Sequence, residues 1–357
     1  MEQRRQQTLD VVRGIAILLV LVFHLRIVTG FAPLDRMVEP LVDTGWAGVD
    51  LFFVLSGFLV GRIILAEAAS GGGFDRRRFF ARRVLRLWPV LYLYLAVLLW
   101  SGGGEAWRMV VPVALHLQNY ADHVPSHLWS LAVEEHFYLV AALALPVLLR
   151  RHGERGVALA LVAILAGCLV LRVGAAVLGE APRHLQWQTQ YRADAVAAGV
   201  LVAWADLYRP ALLARCAERR RLCLAAACAG FALLVALADP RWRFSIGLTV
   251  AYIAAAALLL AALRAEVPRC LAGAAALLAR LGGIAYPLYI WHASVARVAD
   301  ALAASVGLPA PLACASRYAA TVAIAAAIAA WIERPVMRLR DGWLHKVTPS
   351  AAYASAY

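Results

Sequence analysis

The sequence predicts an all-α, polytopic membrane helix bundle of about ten transmembrane helices, with both termini cytoplasmic. Three observations carry this. Of the 357 residues 63% are hydrophobic, against about 45–50% in soluble domains, and mean hydropathy is +0.71. Apolar runs able to cross a hydrocarbon core recur near residues 10–30, 46–66, 84–101, 129–149, 157–178, 192–207, 222–238, 244–263, 283–303 and 311–332, the sixth short and the tenth alanine-rich. Positive charge is also asymmetric. Arginines crowd the segments expected inside, around 76–86, 150–155, 215–221 and 334–340, whereas the outer loops carry Arg36, Arg108, Arg183, Arg241 and Arg243. That bias sets the orientation, and an even number of spans returns the C-terminus to the cytoplasm. The net charge of +13 is therefore topological: the partner it implies is the lipid bilayer, and no nucleic acid is needed.

The first run, Leu9 to Val28, carries Arg13 near its start and His24 well inside it. It is too long for a signal peptide and lacks a small-residue cleavage site, so it is expected to remain as a span. Eleven helical steps of about 100° bring His24 within about 20° of the azimuth of Arg13, roughly 16 Å further along. An ionisable group at that depth is costly unless it faces a polar cavity, so His24 is either a site residue or a histidine bonded to a neighbouring helix. The second run opens with Asp50, just below the outer surface, where it either caps the helix or orients a catalytic partner. Ser56 and Gly57 are small enough for close helix contact. A flexible inner turn over residues 70–75 leads to Arg76 and onward. Arg82 with Arg86, or Arg83 with Arg86, would form a fork suited to phosphate, although inner arginines also serve topology alone.

After the longest outer loop, the fourth span begins at Trp129 and Ser130 and carries Glu134, Glu135 and His136, followed by Tyr138. Packing does not explain two carboxylates and a histidine inside a span. Glu134 lies roughly 8 Å below the outer boundary and His24 roughly 9 Å below it, so the two are expected to meet. A carboxylate beside an imidazole fixes its tautomer and raises its basicity, as a general base for a hydroxyl requires. Further on, Arg192 and Asp194 could pair or line a pocket at the entrance to the sixth span. The ninth span carries Tyr289 and His292, the latter either satisfied between helices or part of the site. The six cysteines form no C-x-x-C pair, and neither a disulfide nor a metal site is expected. No P-loop, G-x-S-x-G or internal repeat is present.

Six blocks of sequence carry a family resemblance: Arg13-x10-His24, G-V-D-L-F-F-V-L-S-G-F-L (Gly48 to Leu59), F-F-A-R-R-V-L-R-L-W-P (Phe79 to Pro89), W-S-L-A-V-E-E-H-F-Y (Trp129 to Tyr138), Tyr286 to His292, and Glu333 to Arg338. In this order they resemble the integral-membrane acyltransferase-3 family, which includes O-acetyltransferases of bacterial surface polysaccharides and acylases of small glycosylated metabolites. The resemblance implies one membrane acyltransferase domain over residues 1–340 and a short cytoplasmic tail over 341–357. Larger members append an extracytoplasmic hydrolase-like domain, and this chain is expected to be the stand-alone form. It implies an essential His24 with Arg13 as partner, a functional acid at Glu134, and acyl-CoA contacts at Arg83 and Arg86, to which the helical fork adds Arg82.

Asp50 joins the expected catalytic group, and Ser56, Trp129, Ser130, Tyr138, Arg192, Asp194, Tyr289 and His292 are expected to line the pocket. The expected reaction moves an acyl group, with acetyl-CoA as donor, to a hydroxyl of a glycan or glycosylated acceptor at the bacterial inner membrane. The donor's extended arm would run along the Arg13–His24 face. Aromatic residues at the outer entrances, Trp46, Trp107 and Trp187 among them, suit sugar rings as well as the membrane interface. A macrolide-like cytosolic acceptor is the alternative within this chemistry. A proton-coupled transporter is the alternative outside it, disfavoured because the chain shows no pair of similar halves.

Overall fold

The protein is described by a computed structural model covering residues 2–347 except 71, 264 and 266, with backbone alone for 2–5 and 344–347. Gly71 of the expected inner turn and residues 348–357 of the expected tail therefore lie outside the described residues. The chain is helical throughout, with no strand among the described residues. It runs α1 (Glu2–Leu25), α2 (Ala32–Thr44), α3 (Gly48–Ala69), α4 (Arg76–Ser101), α5 (Ala106–Ala114), α6 (Trp129–Val177), α7 (Pro182–Trp187) and α8 (Thr189–Tyr208). There follow α9 (Pro210–Glu218), α10 (Arg220–Ala236), α11 (Pro240–Arg243), α12 (Ile246–Ala262), α13 (Ala272–Gly282), α14 (Ala285–Ser305), α15 (Ala310–Ile328) and α16 (Arg334–Val347). A five-residue π-helical segment, Ala329–Glu333, joins the last two, and α16 continues straight across the tail boundary expected at residue 340.

Length and composition alone mark fewer spans than the ten expected. By length and composition, five helical stretches among the described residues can cross a membrane: Gln6–Leu25, Ala32–Ala69, Arg76–Ser101, Ser126–Val177 and Ala310–Trp343. Two bent pairs, Pro182–Tyr208 with Pro210–Glu218 (106°) and Arg269–Gly282 with Ala285–Ser305 (74°), raise this to seven. The expected seventh and eighth spans are helices of 17 residues each, at the short end of the roughly 17–25 with which a helix crosses a hydrocarbon core of about 30 Å.

The longest stretch is nevertheless folded back on itself. At 49 residues, α6 would extend about 74 Å if straight, but Gly153 interrupts it at φ 66°, ψ −172°, a conformation open chiefly to glycine. Contacts with α8 show the reversal. His136 and Arg172, on either side of Gly153, both reach the beginning of α8, at Thr189 and Asp194. Glu154 meets its far end, accepting from Trp204 and Arg209.

Glycines set the closest crossings. A Cβ on Gly57 of α3 would lie 2.0 Å from the carbonyl oxygen of Val196 in α8, and one on Gly199 of α8 would lie 2.0 Å from that of Val54, so the two helices touch backbone to backbone, as small residues allow. Gly14 of α1 and Gly282 of α13 do the same: a Cβ on either would lie 2.0 Å from a carbonyl oxygen, that of Leu278 or of Asp10. The core runs continuously through α1, α3, α4, α6, α8, α12 and α14.

Candidate active site

Two sites lie at opposite ends of this core. The first is a vestibule of about 370 Å³ at the arginine-rich end, walled by α1, α3, α4, α6, α14 and α16. The N-cap of α4 sets its charge. Asp75 accepts from the backbone N–H of Arg78 at 3.0 Å and so starts the helix directly after the glycine turn. Arg82, Arg83 and Arg86 then fall on one face and line the vestibule, with Arg13 from α1 and Arg340 from α16. Five guanidinium groups meet three lining carboxylates, Asp10, Glu134 and Glu333, and Arg340 also pairs with Asp341 at 2.7 Å, which leaves a positive surplus of one suited to phosphate.

The acid on α6 is held within this vestibule. The Arg83 guanidinium lies 3.7 Å from the centroid of the Tyr138 ring, and it acts on the Glu134 carboxyl together with the Ser56 and Tyr138 hydroxyls. Those two hydroxyls are hydrogen-bonded to each other. Arg13 donates to Asp10 at 2.5 Å. Nearer the middle of the bundle, Tyr289 donates to the carbonyl of His127. A phenol has one hydrogen, so the 2.6 Å contact with Ser130 is donated by the serine.

The second site is His24, in the last turn of α1, exposed at the opposite end. Its Nδ1 lies 3.0 Å from the carbonyl oxygen of Val20, so Nδ1 carries the hydrogen and Nε2 is left as a base. Its ring centroid is 4.8 Å from that of His292, which is fully buried. His127 stands 4.9 Å beyond.

Several expected partnerships are different. Glu134 does not meet His24: the nearby Arg83 guanidinium and two hydroxyls draw the carboxylate into the vestibule instead. The Arg13–His24 face of α1 is not an open path, because Ile17 and Val20 between them are fully buried. The vestibule leads instead toward Phe52 of α3 and Tyr289 of α14, whose rings lie 6.3 Å apart. Asp50 neither caps α3 by a side-chain bond nor reaches His24; it accepts from Arg192 at 2.8 Å, both fully buried. Arg192 and Asp194 do not pair, since Asp194 takes Arg172 at 2.6 Å. Trp129 packs on Phe53, parallel to Trp187, with Arg192 over its face. Asp50, Trp129, Arg192 and Asp194 thus join helices outside the vestibule.

Sequence reasoning missed Arg172, Arg340, Glu333 and His127. Arg172 is a lone charge in an apolar run and could have been flagged as such. Arg340 resembles every other inner arginine, and nothing local marks it. Glu333 sits in the π-helical segment, a feature frequent at functional sites. His127 stands two residues before the Trp129 block.

Fold and sites together define an integral membrane enzyme. The chain belongs to the acyltransferase-3 family, whose acyltransferase domain matches residues 6–332, and the resemblance read from the six blocks is borne out. Similar proteins include the O-acetyltransferase OatA of Staphylococcus aureus, 28% identical over 169 residues, covering 42% of this chain and 26% of that protein. The peptidoglycan O-acetyltransferase OatA of Listeria monocytogenes is 30% identical over 154 residues, covering 37% of this chain and 23% of that protein. The matched region is thus about a quarter of the length of these relatives. No solved structure matches the chain.

Proposed function

We propose that this protein transfers an acetyl group from acetyl-CoA, bound at the arginine-lined vestibule on the cytoplasmic side of a bacterial inner membrane, to a hydroxyl of a glycan on the outer side, with His24 as general base. The observation that carries this reading is the separation of the two sites: a basic vestibule at one end of the core and an exposed imidazole with a free Nε2 at the other. The acetyltransferase names of the relatives, one of which acts on peptidoglycan, favour an acetyl group and a glycan acceptor.

Arg82, Arg86 and Arg340 hold the donor's phosphates, and Glu134 holds Arg83 in the orientation that completes the fork. Glu134 therefore serves the donor side rather than His24. The thioester end passes Phe52 and Tyr289 to reach His24. His24 Nε2 takes the acceptor's proton as its oxygen attacks the thioester carbonyl; the new C–O bond forms, the C–S bond breaks, and the proton returns to the departing thiolate.

Sealed vesicles of known orientation test the arrangement, with acetyl-CoA supplied on one face and glycan fragments on the other. Transfer is expected with donor on the arginine-rich face and acceptor on the His24 face. Transfer only when both substrates share the arginine-rich face would assign a cytosolic acceptor, and solute movement without release of free thiol would make the protein a carrier.

A further inference from the structure

Behind His24 stand two imidazoles that the reaction above leaves unused. His292, on α14, is fully buried with its ring centroid 4.8 Å from that of His24, and His127 lies 4.9 Å beyond it. Backbone carbonyls fix the tautomer of each ring, because a carbonyl only accepts and the nitrogen facing it must carry the hydrogen. His24 donates from Nδ1 to Val20. His292 donates from Nδ1 to Tyr289 at 2.8 Å, and His127 donates from Nε2 to Ile290 at 3.0 Å. Each neutral ring is left with one bare acceptor nitrogen. On His292 this is Nε2, which is buried and has no hydrogen-bond partner among the described residues. Buried acceptors are nearly always paired, so an open one beside the base of the reaction points to a partner that appears only during turnover. The three rings do not form a group able to hold a metal ion.

We propose that His292 is a positioning residue for His24. When His24 takes the acceptor's proton on Nε2 its ring becomes a cation, and the bare nitrogen of the adjacent His292 ring faces that charge and stabilises it until the proton passes to the departing thiolate. The two rings meet edge to face, with centroids 4.8 Å apart and planes at 61°, close enough for an acceptor nitrogen to act on the cation within the dry interior of the bundle. The atoms balance within the transfer already described: the hydroxyl proton lost by the acceptor is the one gained by the thiol. His127 holds the arrangement from behind, bonded to the backbone of α14 and edge-on against His292. Tyr94 of α4 backs His127 in turn, with ring centroids 6.2 Å apart.

The inference rests on His24 being the base, so H24A is measured beside the His292 variants in purified, membrane-inserted protein. The amide of asparagine stands where Nδ1 was and keeps the donation to the Tyr289 carbonyl; the longer glutamine places its oxygen where Nε2 was. H292N is therefore expected to lower kcat about tenfold to hundredfold with KM for acetyl-CoA unchanged, because the donor vestibule lies on the other side of Tyr289. H292Q is expected to recover most of that loss. A histidine that merely packs would be replaced by leucine as well as by glutamine, and its loss would appear in thermal stability and in KM as well. Wild-type kcat in H292N, or equal losses in H292N and H292Q, would overturn the inference. Should H292N fail to insert, H292L takes its place in the comparison with H292Q. An inactive H24A with a fully active H292N would sink this inference and leave the proposed reaction standing, whereas an active H24A would remove the reaction's base itself.

Discussion

Arginine side chains in the vestibule differ in what else they hold, and substitution should separate them. Arg86, beside Glu333, and Arg340, paired with Asp341 of its own helix, face the cavity from α4 and α16. Charge-assisted phosphate contacts contribute about 1.5–3 kcal/mol each. Arg86→Ala or Arg340→Ala should therefore raise KM for acetyl-CoA about tenfold or more, while kcat and melting temperature change little. Arg83 joins two helices through the bundle, packed from α4 against the Tyr138 ring and the Glu134 carboxyl of α6. Arg83→Ala should lower thermal stability in addition to donor affinity, and Glu134→Gln should recover part of that stability by removing the carboxylate left without its guanidinium. Kinetics paired with thermal unfolding in detergent checks both expectations. Unchanged KM in the Arg86 and Arg340 variants, with protein inserted in the wrong orientation, would mean that these arginines set topology alone. At this scale the sequence was informative about which residues matter and less so about their company. The fork at Arg82, Arg83 and Arg86 follows from helical periodicity, but the preference of Glu134 for Arg83 over His24 depends on how α4, α6 and α3 rotate about their axes, which hydropathy does not encode.

Helix pairing explains the residues that left the expected site. The α3–α8 contact is closed by Gly57 and Gly199 through the middle and by the Asp50–Arg192 ion pair toward one end, and Arg172 with Asp194 ties the second half of α6 to the same end of α8. In a sequence, an acid and an arginine inside apolar runs look the same whether they serve catalysis or join helices. Only the fold shows that Asp50 and Arg192, 142 positions apart, are partners. Breaking a buried pair by removing one member costs about 3–5 kcal/mol, because the other charge is left uncompensated, whereas replacing both by apolar residues is often neutral. Asp50→Asn should therefore lower the melting temperature markedly, and Asp50→Leu combined with Arg192→Leu should restore it. Residual turnover of folded Asp50→Asn protein should stay near that of the wild type. A variant that melts normally and has lost its turnover would return Asp50 to the catalytic group.

Across the whole molecule, the helical class, the membrane setting and the order of the family blocks were legible from composition and pattern, because both apolar runs and charge asymmetry survive in one dimension. The number of crossings was less so. Apolar length in the helices counts residues 126–177 as a single stretch of 52 residues, whereas the sequence divides it into runs at 129–149 and 157–178, and contacts with α8 show the reversal at Gly153 between them. If that reversal lies at one membrane face, residues on the two sides of each pass must be accessible from opposite compartments. Arg151 is exposed and His184 of α7 is half-buried with its side chain reaching solvent, and the second half of α6 separates them. In a background freed of the six native cysteines, Arg151→Cys should react with a membrane-impermeant maleimide only from the cytoplasmic face of sealed vesicles, and His184→Cys only from the outer face. The same labelling places the donor site: Arg77→Cys would stand exposed in the first turn of α4, the helix whose Arg82, Arg83 and Arg86 line the vestibule. It should share its compartment with Arg151→Cys. Labelling of Arg151→Cys and His184→Cys from the same face would show that the long α6 stretch does not make two crossings, and the separation of donor and acceptor across the bilayer would have to be redrawn.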